Sequence, residues 1–193
     1  MADKIDVPNV MTPKFRVSFP NVFRPGKPVD PTKAGKYSVT MLFDKDANLE
    51  PLKKAMVDFM TKKFGGNQAS WPKLSRNPFR DQGEKTFEGY VAGAKFINAT
   101  SNTKPGLVDA QNNDIINEAD FYPGCYARAT VRPFWYDTAG NKGVAFGLQN
   151  IQKLADGEPL GGRVSASKEI EPVAPANGGG SADTAKTAAD LFG

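Results

Sequence analysis

The sequence contains no histidine and only one cysteine, Cys125. The first absence removes the commonest general base, the commonest metal ligand and every Ser-His or Cys-His nucleophile system. The second excludes an internal disulfide and fits a reducing compartment. It also leaves any zinc site built within one chain dependent on carboxylates for nearly every ligand. No apolar run approaches the ~20 residues that span a bilayer, and the Met-Ala-Asp-Lys start lacks a signal-peptide core. The expected location is therefore the cytoplasm of the cell that makes the protein. A Walker A sequence is missing, as is a Gly-rich turn between a strand and a helix. No catalytic residue, metal site or cofactor is expected. Asp109, Asp114, Glu118 and Asp120 cluster in sequence and keep magnesium-dependent phosphoryl transfer open as an alternative. They fall in a polar turn region, where solvated carboxylates are the ordinary outcome.

What is present points elsewhere. The 193 residues suit one domain with appendages. Net charge is +4, with an isoelectric point near 9.1. The positive surplus lies in residues 1–162, whereas 163–193 are slightly acidic. A basic body with an acidic end is the balance of a polyanion-binding domain whose tail avoids the polyanion.

The most informative stretch is 125–136, Cys-Tyr-Ala-Arg-Ala-Thr-Val-Arg-Pro-Phe-Trp-Tyr. Counting by twos, Tyr126, Arg128, Thr130, Arg132, Phe134 and Tyr136 share one face of a strand, and Cys125, Ala127, Ala129, Val131 and Pro133 the other. The small apolar face suits close packing in a barrel or sandwich. The opposite face alternates cation with ring, which suits phosphate neutralisation combined with base stacking. Solvated sheets also carry such residues for cross-strand pairing and for covering apolar surface, so that reading stands beside the first.

Elsewhere the pattern predicts a strand from Thr12 to Pro20, with Phe15, Val17 and Phe19 on one side and Lys14, Arg16 and Ser18 on the other. A loop over 24–35 precedes a second strand carrying Tyr37, Val39, Met41 and Phe43. Leu49, Leu52, Met56, Phe59, Met60 and Phe64 recur at helical spacing up to Gly65-Gly66, a stop signal. Residues 67–89 have no period and mix rings with cations: Trp71, Lys73, Arg76, Phe79 and Arg80. Long aperiodic loops of this kind are usually functional or disordered. Stacking on bases and pinning of the loop to the body by Trp71 and Phe79 are both open readings. Tyr90 to Thr100 reads as a strand with a bulge at Gly93. Thr138 to Asn141 reads as a hairpin turn, after which Val144, Phe146 and Leu148 alternate; Ile151 falls out of phase, as at a bulge. Residues from 163 onward are expected to be a disordered tail.

This set of elements fits a mainly β fold, an OB-fold-like five-stranded antiparallel barrel with one inserted helix, with a β-sandwich as the other option. The expected domain is 1–162 and the flexible tail 163–193. The segments 121–129 and 144–153, with the strands at 14–19 and 37–43, resemble the phage-encoded single-stranded DNA-binding proteins, an OB-fold replication family.

The resemblance implies sequence-independent coating and protection of unwound strands during phage replication and recombination in the host cell. On that basis Lys14, Arg16, Lys73, Arg76, Arg80, Arg128 and Arg132 would track phosphates, and Trp71, Phe79, Tyr126 and Phe134 would stack on bases. It also implies that Asp190, Leu191 and Phe192 in the tail recruit replication proteins such as a polymerase, helicase or primase, and it leaves a homodimer open. The other function classes are a structural or interaction module of a phage without nucleic-acid binding, and an RNA binder, since no residue identifies a reader of the 2′-hydroxyl.

Overall fold

A computed structural model describes residues 5–161, together with 170, 172 and 173. The chain gathers into two units, Met1–Gly161 and Gly162–Gly193. The expected tail residues Asp190, Leu191 and Phe192 lie outside the described residues.

The first unit is mainly β. Its strands are β1 (Val10–Met11), β2 (Phe15–Asn21), β3 (Tyr37–Leu42), β4 (Arg80–Asp81), β5 (Lys95–Ser101), β6 (Gly106–Val108), β7 (Tyr126–Thr138) and β8 (Asn141–Ala155), with one helix, α1 (Glu50–Phe64). The pairings run β7–β2–β3–β5–β8 and return from β8 to β7; β1 adds to β7, β4 to β5 and β6 to β8. Two ladders, β5–β8 and β6–β8, are parallel and the other ladders between these strands are antiparallel, where the sequence predicts strands that are mostly antiparallel. The reason is geometric. In a circuit of five pairings the directions cannot alternate all the way round, which accounts for β5–β8; β6–β8 lies outside that circuit.

The core follows the period-two pattern. Phe15, Val17, Val39, Met41, Ala99, Ala127, Ala129, Val131, Phe146, Leu148 and Ile151 are each at most 1% exposed. Small residues on β7 sit beside large rings on its two neighbours: Phe15 of β2 is the ladder partner of Ala127, and Phe146 of β8 that of Pro133. The out-of-phase Ile151 has the anticipated cause. Thr130 pairs with Asn150 and Val131 with Leu148, so Gln149 is an extra residue on β8 and the strand's alternation restarts after it.

A second bulge has the opposite effect on a prediction. The β2–β3 register shifts between Ser18 and Asn21, and Phe19 adopts φ +43°. Its side chain therefore turns outward, 53% exposed, instead of continuing the buried row of Phe15 and Val17. Inserting one residue exchanges the faces of everything beyond it.

Helix α1 forms where the spacing placed it. Pro51 sits in the first turn, Lys62 and Lys63 lie in the last, and Gly65 takes φ +88° while its N–H bonds the Thr61 carbonyl. Leu52 joins the main core. Phe59 and Met60 pack with Val7 and Val144 in a second cluster, so the helix closes one side of the β wall.

The strand predicted over 90–100 starts only at Lys95. Residues 80–94 instead fold back over the outer face, held by Gln82, which is 2% exposed. Gln82 Nε2 donates to the carbonyls of Phe43 and Lys95, both at 2.8 Å, and its Oε1 accepts from Val91 N–H at 3.0 Å. Asp81 caps the same turn, accepting from the amides of Gly83 (2.8 Å) and Gly93 (3.0 Å), with Lys95 Nζ at 3.2 Å. These bonds hold the Asp81 carboxyl below its ordinary range, the Gly93 amide contributing most.

Candidate nucleic-acid interface

On β7 the outward row is as the sequence implied. Arg128 is exposed and Tyr126, Arg132 and Phe134 are half-buried, while the alternate residues are interior. Arg128 Nε donates to Gln152 Oε1 at 2.8 Å, and Arg132 Nε to Asn9 Oδ1 at 3.0 Å. These bonds fix the guanidinium planes by one nitrogen each. Neither arginine is in an ion pair among the described residues, so their positive charge is uncompensated at close range.

At the start of β7, Arg16 is the ladder partner of Tyr126, and Lys14 Nζ lies 5.2 Å from the centroid of the Tyr126 ring. Arg16 donates from Nη2 to the Glu158 carbonyl at 2.6 Å and from Nε to the Gly124 carbonyl at 3.3 Å. Arg16, Tyr126, Lys45 and Val91 line a hollow of about 220 Å³. The structure thus brings Lys14, Arg16 and Tyr126 together.

The loop residues separate. Phe79 is 8% exposed and packs edge-to-face on Phe146 at 5.8 Å. No ring face is left for a base, so its assignment as a stacking residue is corrected: it is core. Arg80 donates from Nε and Nη2 to Glu84 Oε2 (3.0 and 2.6 Å) and covers the Phe96 ring at 4.9 Å. Its charge is paired with the Glu84 carboxylate at 2.6 Å, and the hydrogen bonds from Arg80 hold that carboxyl low. Trp71 Nε1 donates to the Gly65 carbonyl at 2.8 Å, and its ring packs on the cluster of Val7, Phe59, Met60 and Val144 that also takes Trp135. Trp135 is nine residues from Tyr126, roughly 30 Å along an extended strand. Trp71 therefore serves the far end of β7. Lys73 and Arg76 are exposed on the same loop, which is tied to the hairpin by Ser75 N–H to the Lys142 carbonyl at 2.8 Å.

The acidic group does not converge. Asp109 accepts from the Gln111 and Asn113 amides and the Asn113 side chain, bonds that lower its pKa, and Glu118 pairs with Arg24 at 3.0 Å. Among the described residues, no three Asp, Glu, His or Cys side chains gather to hold a metal ion.

The outer face of β2, β3 and β5 carries a feature that periodicity did not reveal. Ser18, Thr40 and Asn98 form one row and Asn21, Ser38 and Thr100 the next, with Thr40 Oγ1 donating to Asn98 Oδ1 at 2.8 Å and Asn21 Nδ2 to Ser38 Oγ at 3.1 Å. Along this face Phe19, Phe87 and Tyr90 contact in sequence, at 5.0 Å and 5.5 Å between centroids. Beyond them Lys27, Lys33 and Lys36 border a hollow of about 550 Å³ floored by Ser38 and Thr100. The available signal was weak: Phe87 is the one large apolar residue in a polar stretch, and Phe19 lies next to a proline at a strand end.

The chain belongs to the family described as Enterobacter phage Enc34, ssDNA-binding protein, which matches residues 8–179. It is 29% identical over 168 residues to protein p50 of Acyrthosiphon pisum secondary endosymbiont phage 1, covering 82% of this chain and 90% of the relative. The fold is similar to that of the single-stranded DNA-binding protein of bacteriophage Enc34 in complex with ssDNA, with a TM-score of 0.65 at 20% identity, over 79% of this chain and 89% of that one. It is also similar to gp2.5, a single-stranded DNA-binding protein encoded by bacteriophage T7, with a TM-score of 0.53 at 13% identity, over 90% and 100% of the two chains.

Proposed function

We propose that the protein binds single-stranded DNA with little sequence preference, coating and protecting unwound strands during phage replication and recombination in the host-cell cytoplasm, and performs no chemistry. The observation that carries this reading is the outward row of β7, in which Arg128 and Arg132 alternate with aromatic rings and face no carboxylate among the described residues. Family membership points the same way. We read the five-strand circuit as an OB-type barrel, whose outer strand face is a common oligonucleotide-binding surface. Lys14, Arg16, Lys73, Arg76, Arg128 and Arg132 are the phosphate contacts in this proposal, and Tyr126 and Phe134 the stacking rings on β7. Replication proteins are the proposed partners of Asp190, Leu191 and Phe192.

The test is a salt titration of binding to oligo-dT and to a duplex of equal length. Binding should favour the single strand and fall with salt, with a slope of ~0.7 per phosphate neutralised. Arg128→Ala with Arg132→Ala should reduce that slope by about 1.4. An unchanged slope would remove β7 from the contact surface, and no binding at low salt would leave a phage packing module as the better reading.

A further inference from the structure

Phe19 is placed against the preferences of the fold. A bulky residue at φ +43° occupies the left-handed region that L side chains rarely adopt, and the same bulge exposes 53% of its apolar surface. Backbone strain of this kind persists where the surrounding structure enforces it, and it clusters at ligand-contacting positions.

The surroundings here do enforce it. Phe87, 49% exposed, meets Phe19 edge-to-face at 69° and Tyr90 at 68°. Tyr90 is anchored below by its Oη against Ser18 Oγ at 3.2 Å and by its ring against Phe96 at 6.0 Å. The ladder is thus rigid at its base and open at its outer end. Steeply inclined rings in mutual contact leave no parallel slot between them, so a flat ligand can only lie on the outer faces of Phe19 and Phe87.

Cations border the same face on both sides. Lys27, Lys33 and Lys36 rim the hollow beyond Asn21, and Arg16 and Lys45 line the one beside Val91. Two outward ring faces between two groups of cations, above a row of hydroxyl and amide groups, match flat apolar rings strung on a polyanion. That is the chemistry of single-stranded DNA, and it is sequence-tolerant because every base has a π-face.

We propose that Phe19 and Phe87, braced by Tyr90, form a base-stacking platform for single-stranded DNA on the outer face of β2 and β3, separate from the rings of β7. This deepens the function proposed above and rests on it. The bulge at Phe19 exists to present the ring.

The test compares full-length wild type, Phe19→Gly, Phe87→Ala and the conservative Phe87→Tyr, each binding labelled oligo-dT and an abasic oligonucleotide of equal length. Glycine is compatible with the backbone at position 19, and thermal melts confirm that each variant is folded. Phe19→Gly and Phe87→Ala should each weaken oligo-dT binding by about 5- to 150-fold, leave abasic binding within twofold of wild type, and Phe87→Tyr should retain most of the affinity. Wild-type-like oligo-dT binding by the folded Gly and Ala variants would overturn the platform while leaving the proposed function intact. Equal losses on both ligands would also overturn it. Failure of the wild type to bind oligo-dT at all would instead overturn the underlying reading.

Discussion

Arg16 donates from Nη2 to the Glu158 carbonyl at 2.6 Å, joining the first long strand to the segment that follows the last. The turn before β7 meets the same segment. A Cβ on Gly124 would lie 2.1 Å from the Glu158 oxygen, so this contact requires glycine at φ +112°.

Arg16→Met should loosen residues 156–161 without unfolding the wall. The expected signature is faster amide exchange at Leu160, whose N–H bonds the Pro123 carbonyl at 2.9 Å, with core amides such as Met41 unchanged. Unaltered exchange at Leu160 would mean that the Tyr122–Gly157 bonds suffice alone.

Gln82 is the least exposed of the buried polar side chains among the described residues and bonds three backbone groups. Gln82→Leu leaves two carbonyls and one amide without their side-chain partner, and should cost about 2–4 kcal/mol. Urea unfolding should show a lower midpoint with an unchanged slope. A loss under ~0.5 kcal/mol would show that water replaces the side chain.

The Asp81 turn sets a pH dependence. Its folded pKa is depressed by the Gly93 and Gly83 amides and by Lys95. The contribution is therefore present above the unfolded value of ~3.9 and lost as pH falls through the lower folded value. Asp81→Asn should lower the melting temperature at neutral pH, with the gap to wild type closing in acid. A gap that persists at pH 2 would assign the effect to the amide's geometry instead of the charge.

Legibility from sequence tracked locality. The β7 faces, the β8 bulge before Ile151 and the span of α1 were readable because each depends on neighbouring residues and a fixed period. Phe19 falls on the other side from the expected one because its bulge lies at the strand end, where the predicted strand stops at Pro20 and no later residue registers the change of phase as Ile151 does on β8. The role of Gln82, and the choice between anchoring and stacking for Phe79, are set by partners distant in sequence, the Phe43 and Lys95 carbonyls for the amide and Phe146 for the ring. The parallel β5–β8 ladder likewise arises where the circuit of strand pairings returns on itself, which no single segment encodes.

The joint between β2 and β7 closes the longest stretch of chain in that circuit, with only Phe15–Ala127 and Arg16–Tyr126 in register. The β7–β8 hairpin can zip from its turn, and the β2–β3 ladder closes a shorter loop. Pairing at such range must wait until the entropy of the intervening chain has been lost. The wall therefore has a latch: a joint that fastens last during folding and breathes first afterwards.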